Sequence, residues 1–137
     1  MRRLSNPQLG SCVIERIEHV PDADVEGYFK AADVLVLPYV HIFQSGTMFL
    51  SYTFGLPVIA TDVGSLRDCI VEGETGFVCK PRDPIDLANK IAAYFASELY
   101  KQLAVQRREI QEFGNLRHSW AKVGDITRAV YGNLLTK

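Results

Sequence analysis

The chain has 137 residues, 47% of them hydrophobic and 23% charged, and 15 basic against 16 acidic side chains leave a formal net charge of −1. That is the length of one domain able to bury its own core, and the near balance of charge argues against a partner that must be held by a general field, such as nucleic acid or an acidic membrane surface. No run approaches the roughly 18 apolar residues that would cross a bilayer, and the Met1-Arg2-Arg3 start has no apolar stretch behind it, so a cytoplasmic protein is expected.

In chain order, residues 1–12 carry no periodic pattern and are expected to be poorly ordered or to fold back as a covering arm. Cys12, Cys69 and Cys79 stand apart, flanked mostly by apolar residues and outside any metal-ligand spacing; they are expected to be reduced and buried, with no metal site. Residues 13–17, Val-Ile-Glu-Arg-Ile, read as a first strand. Pro21-Asp22-Ala23-Asp24 then offers a start for a helix on which Val25, Tyr28 and Phe29 recur at helical spacing.

Asp33-Val34-Leu35-Val36-Leu37-Pro38 follows without alternation, the pattern of a strand covered on both faces. Residues 47–54 form an apolar helix closed by Gly55, and Pro57-Val58-Ile59-Ala60 is the next covered strand. A short helix over residues 66–71, a turn over 72–76 and a strand at Phe77-Val78-Cys79 complete the sheet. Asp83-Pro84 starts a helix to about Ser97, another runs near residues 98–112, and Arg117 or Ser119 opens a last one towards Leu135. Alternating strands and helices predict a single α/β domain, Rossmann-like, with a mostly parallel sheet of about four strands flanked by helices.

That order puts a small polar group, Gln44-Ser45-Gly46-Thr47, after one strand's carboxyl end and at the next helix's amino end, where open α/β sheets bind ligands. The first helical turn has unpaired N–H groups and a partial positive charge, a glycine lets a phosphate approach the backbone, and Ser45 and Thr47 add hydroxyls. The competing reading is that Ser45 caps the helix and Gly46 relieves crowding.

Over roughly residues 13 to 135, and most clearly from Phe54 onward, the chain resembles the carboxy-terminal domain of retaining nucleotide-sugar glycosyltransferases of GT-B fold, the glycosyl transferase group 1 family. The resemblance rests on Ala32-Asp33 and Pro38, Gly55-Leu56-Pro57-Val58-Ile59-Ala60-Thr61, Val63-Gly64, Glu72-Gly73-Glu74-Thr75-Gly76-Phe77, Pro81-Arg82-Asp83-Pro84 and His118-Ser119-Trp120, in that order. It implies that the domain holds a nucleotide diphosphate sugar as substrate, that no metal or other cofactor is needed because a helix amino end faces the diphosphate, and that a separate amino-terminal domain receives the acceptor. Carried onto this sequence, it assigns the diphosphate to Ser45, Gly46 and Thr47, with Gln44 and His41 as candidate sugar contacts. Thr61, Asp62 and Gly64, at the next strand's end, are either sugar contacts or turn residues.

Two departures stand out. Where the family commonly has a pair of glutamates, for the sugar and for the ribose hydroxyls, this chain has Ile42 and Leu50. The family's earlier strand and helix units, with their glycine-rich loop and basic residues, have no counterpart before Val13, so the domain is incomplete relative to its relatives. Arg67 is then a candidate cation near the crevice. The chain alone is expected to transfer little or no sugar, to need the acceptor domain, and to offer an unpaired sheet edge through which copies could associate. The alternative is a non-catalytic binding or interaction module built on the same fold.

Overall fold

The computed structural model describes residues 12–135, without the His118 side chain. Its elements are α1 (Asp22–Ala31), β1 (Leu35–Leu37), α2 (Gly46–Thr53), β2 (Val58–Thr61), a 3-10 turn (Arg67–Cys69), β3 (Gly76–Cys79), α3 (Pro84–Ala96), α4 (Glu98–Lys101), α5 (Leu103–His118) and α6 (Trp120–Leu135). The strands form one parallel sheet in the order β1-β2-β3, with Leu35 opposite Val58 and Ile59 opposite Phe77. The α/β layered fold with a parallel sheet is therefore as expected.

All four residues of β2 are buried, and since successive side chains leave opposite faces of a strand, both faces of the sheet centre are covered. This is why the run reads as unbroken apolar sequence. Met48 and Tyr52 of α2 pack into the same core as Val58 and Ile59, together with Tyr94 of α3 and Ile110 of α5. The Tyr94 hydroxyl donates to the Asp33 carbonyl at 2.5 Å, tying α3 to the residue before β1.

Helix starts and ends have local causes. Asp83 accepts from the Ile85 and Asp86 N–H groups with Pro84 in the first turn, which fixes the start of α3. Gly55, at φ 66°, turns the chain out of α2 with no room for a Cβ against the Arg107 backbone. Carbonyls at the ends of α2 and α1 are answered by α5: Arg107 donates to Phe54 after α2 and to Ala32 after α1, and Gln111 donates to Thr53. The helix expected near residues 98–112 is instead α4, a break at Gln102, and α5. Ser119 accepts from the Lys122 N–H at the start of α6.

Two expectations fail. Residues 13–17 form no strand: Ile14 is 91% exposed and Ile17 65%, and among the described residues no neighbouring strand takes up their backbone groups. The described sheet thus has three strands, with β1 at its edge. Cys12, just before this segment, is exposed, whereas Cys69 and Cys79 are buried as expected. The rest of the arm expected over residues 1–12 lies outside the described residues.

Candidate functional site

The site is built where β1 gives way to α2. Ser45 has extended backbone (φ −127°, ψ 116°) and stands at the N-cap position, only 3% exposed. Its side chain makes no capping hydrogen bond, so the simple capping reading does not describe it. No acidic residue sits in the first turn of α2. Gly46 is exposed, and a Cβ built on it would meet nothing within 4 Å. Gln44 and Thr47 are exposed on either side.

The loop over residues 38–45 that leads into α2 is fastened to the loops after β2 and β3. The Thr61 hydroxyl donates to the Tyr39 carbonyl at 2.6 Å. Phe43 offers its carbonyl to the Ser65 N–H at 2.8 Å and to the Ser65 hydroxyl at 2.9 Å. Gly64, at φ 57°, lies so close beneath the loop that a Cβ would stand 2.2 Å from the Ile42 carbonyl oxygen and 2.4 Å from that of Phe43. Arg82, in the β3–α3 turn, places Nη2 2.9 Å from Nε2 of His41.

His41, Thr61, Asp62 and Gly64 are thus brought onto adjoining loops at the carboxyl edge of the sheet, the side on which α2 begins. The Thr61 hydroxyl is engaged with Tyr39, and Gly64 has a packing reason of its own. Asp62 pairs with Arg67 at 3.1 Å, both side chains about half exposed, so the candidate cation Arg67 is present at this edge with its charge opposed by a carboxylate. The His41–Arg82 contact and the roles of Tyr39 and Phe43 carry no sequence signal, because they join backbone carbonyls and side chains from separate units. Only the Pro81-Arg82-Asp83-Pro84 turn marks the neighbourhood.

A cavity of about 550 Å³ begins at Gly46 and runs between α2 and the start of α6, walled by Phe49, Leu50 and Trp120, with Asn115 and Ser119 as polar lining. Leu50 is 38% exposed on this wall, while Ile42 packs against the core. Neither brings a carboxylate to the site. A smaller cavity of about 210 Å³ touches Val40, Thr61, Lys80 and Arg82.

The buried thiols are not poised for nucleophilic work: burial pushes both Cys69 and Cys79 above the ordinary 9.0, keeping them protonated at neutral pH. Burial likewise pushes the Tyr52 hydroxyl, which donates to the Cys69 carbonyl at 3.0 Å, up to about 12. Among the described residues, no group of three or more His, Cys, Asp and Glu is placed to hold a metal ion.

Against this geometry, the sequence profile of the family described as Glycosyl transferases group 1 matches residues 2–97. The chain belongs to that family. The chain is 32% identical over 138 aligned residues to a D-inositol 3-phosphate glycosyltransferase of Geodermatophilus obscurus, an alignment covering 95% of the chain and 28% of that protein. It is 26% identical to a glycogen synthase of Mycobacterium tuberculosis, over 84% of the chain and 27% of that protein. Among solved structures, sucrose-phosphate synthase from Thermosynechococcus elongatus superposes with a TM-score of 0.61 at 29% identity, covering 77% of the chain and 27% of the other. Anabaena HepE, solved in complex with UDP, superposes with a TM-score of 0.65 at 21% identity, covering 84% and 30%. The chain therefore spans little more than a quarter of the length of the curated relatives named here. Among its described residues, no helix is long and apolar enough to cross a membrane.

Proposed function

We propose that the chain is the donor-holding portion of a retaining glycosyltransferase, with the diphosphate of a nucleotide sugar seated on the amino end of α2 against Ser45, Gly46 and Thr47. Gln44, His41, Thr61, Asp62 and Gly64 border the sugar. The observation that carries this reading is Gly46. Its surroundings leave a Cβ free space, so the fold itself does not need a glycine there, whereas a phosphate drawn onto the first-turn N–H groups does. The fold likeness to HepE, whose structure contains UDP, supports the same reading.

In the reaction, the bond between the sugar's anomeric carbon and the diphosphate oxygen breaks through an oxocarbenium-like state. The N–H groups of α2 stabilise the charge that collects on the leaving diphosphate, a task that needs no metal or other cofactor. With Arg67 opposed by Asp62, and Ile42 and Leu50 offering no acid, the seat consists of backbone and hydroxyl groups, which bind less strongly than charge-assisted ones. The acceptor and further donor contacts come from a partner domain, and the chain alone transfers little or no sugar. The open outer edge of β1 is the surface through which copies would associate.

The test is titration of UDP, GDP and ADP while following the amides of residues 45–47, in the wild type and in Gly46→Ala. Nucleotide-dependent shifts that weaken in Gly46→Ala, with folding intact, are expected. No shift with any of the three at millimolar concentration overturns the reading and favours a non-catalytic module, which the two missing carboxylates at 42 and 50 also suggest.

A further inference from the structure

Arg82 is the one described non-glycine residue with a positive φ, 60°. A side chain is held in that region only where its surroundings dictate it. The next residues explain the turn but not the arginine: Lys80 donates its N–H to Asp86, and Asp83 caps α3. What the conformation accomplishes is to send the guanidinium across to His41 on the β1–α2 loop. Arginine has donors only, so in this pair the guanidinium is the donor.

We propose that Arg82 is a positioning residue that clamps the β1–α2 loop and thereby sets where residues 45–47 present their N–H groups. The loop is held at Tyr39 by Thr61 and at Phe43 by Ser65, both from the β2 side. His41 lies between these two points, and its tie is the one that comes from beyond β3. Its partner is an imidazole and not a carboxylate, so Arg82 has no opposing carboxylate in this contact, unlike Arg67 beside Asp62. The consequence for ligand binding rests on the donor-site reading above; the clamp itself does not.

The experiment measures solvent exchange of the amides of residues 41–47 by NMR in the full chain, alongside melting temperature and UDP titration. Arg82→Gly removes the guanidinium but suits the backbone, since glycine is at ease at φ 60°. Exchange is expected to rise roughly three- to tenfold, confined to this loop, while the melting temperature stays level or rises. His41→Leu should loosen the same amides, and His41→Gln, whose carbonyl can still accept from the guanidinium, should retain wild-type exchange. UDP binding should weaken in Arg82→Gly together with the loosening. Wild-type exchange in Arg82→Gly, or acceleration throughout the molecule with a lower melting temperature, overturns the clamp. If the wild type responds to none of UDP, GDP and ADP, the donor-site reading fails while the exchange data still decide the clamp.

Discussion

Replacing Gly64 by alanine tests how tightly the β1–α2 loop is seated on the loop after β2. At φ 57° a Cβ costs about 1–2 kcal/mol for the left-handed backbone alone. The new atom would also stand 2.2 Å and 2.4 Å from the carbonyl oxygens of Ile42 and Phe43, and because both are backbone the conflict can be relieved only by lifting the loop. Overpacking of that kind adds about 1–3 kcal/mol, so the total loss is about 2–5 kcal/mol. Gly73 supplies the control: it too has a positive φ, 81°, yet nothing lies within 4 Å of its missing Cβ. Gly73→Ala should therefore cost only the backbone share, about 1–2 kcal/mol. Urea unfolding followed by circular dichroism, with unchanged m-values, gives both losses. The steric share is the difference between them. If Gly64→Ala is no worse than Gly73→Ala to within about 0.5 kcal/mol, the loop is not held as described and the reasoning fails.

Gly46→Ala should leave stability level or raise it by up to about 1 kcal/mol, since alanine suits a helix better than glycine, while weakening nucleotide binding; a loss of stability in urea would show that the fold does need this glycine. Leu50→Glu, on the exposed wall of the cavity, should strengthen UDP binding several-fold by calorimetry if a ribose lies there, and unchanged affinity would place the nucleoside elsewhere. Tyr52 should produce an alkaline weakness. Its folded value is raised from 10.0 to about 12, so its contribution is complete below pH 10 and falls as pH rises to about 12, by about 3 kcal/mol. Tyr52→Phe gives up the hydrogen bond to Cys69, about 1 kcal/mol at neutral pH, but should lose that much less between pH 10 and 12, and an unchanged alkaline loss would refute the assignment.

The parts of the fold legible in the sequence are those whose cause is local. The apolar runs at β1 and β2 show as strands because the sheet centre is covered on both faces, and Asp83-Pro84 marks a helix start because the aspartate answers N–H groups two and three residues on. Residues 13–17 have strand chemistry without a strand, since β structure needs a partner to take its hydrogen bonds and none lies beside them among the described residues. The site divides in the same way. The position of residues 45–47 at a strand-to-helix junction follows from element order, but the ties that hold this junction run from residue 61 to 39, 65 to 43 and 82 to 41, and no spacing encodes them.

The same ties bear on what the site can do unaided. Backbone N–H groups supply partial charge within one helical turn, whereas charge-assisted contacts are roughly twice as strong as neutral ones. Of the two arginines at the carboxyl edge, Arg67 faces Asp62, so a phosphate must compete with a carboxylate for it, while Arg82 faces the imidazole of His41 and not a carboxylate. A diphosphate arriving at α2 would thus meet one arginine already opposed and another in contact with His41, with the exposed Lys80 on the same edge. Tight binding by these residues alone would require the Arg67–Asp62 pair to open, and because that pair is half exposed and worth at most about 1 kcal/mol, its opening is a small obstacle. In the proposed function, further donor contacts come from a partner domain.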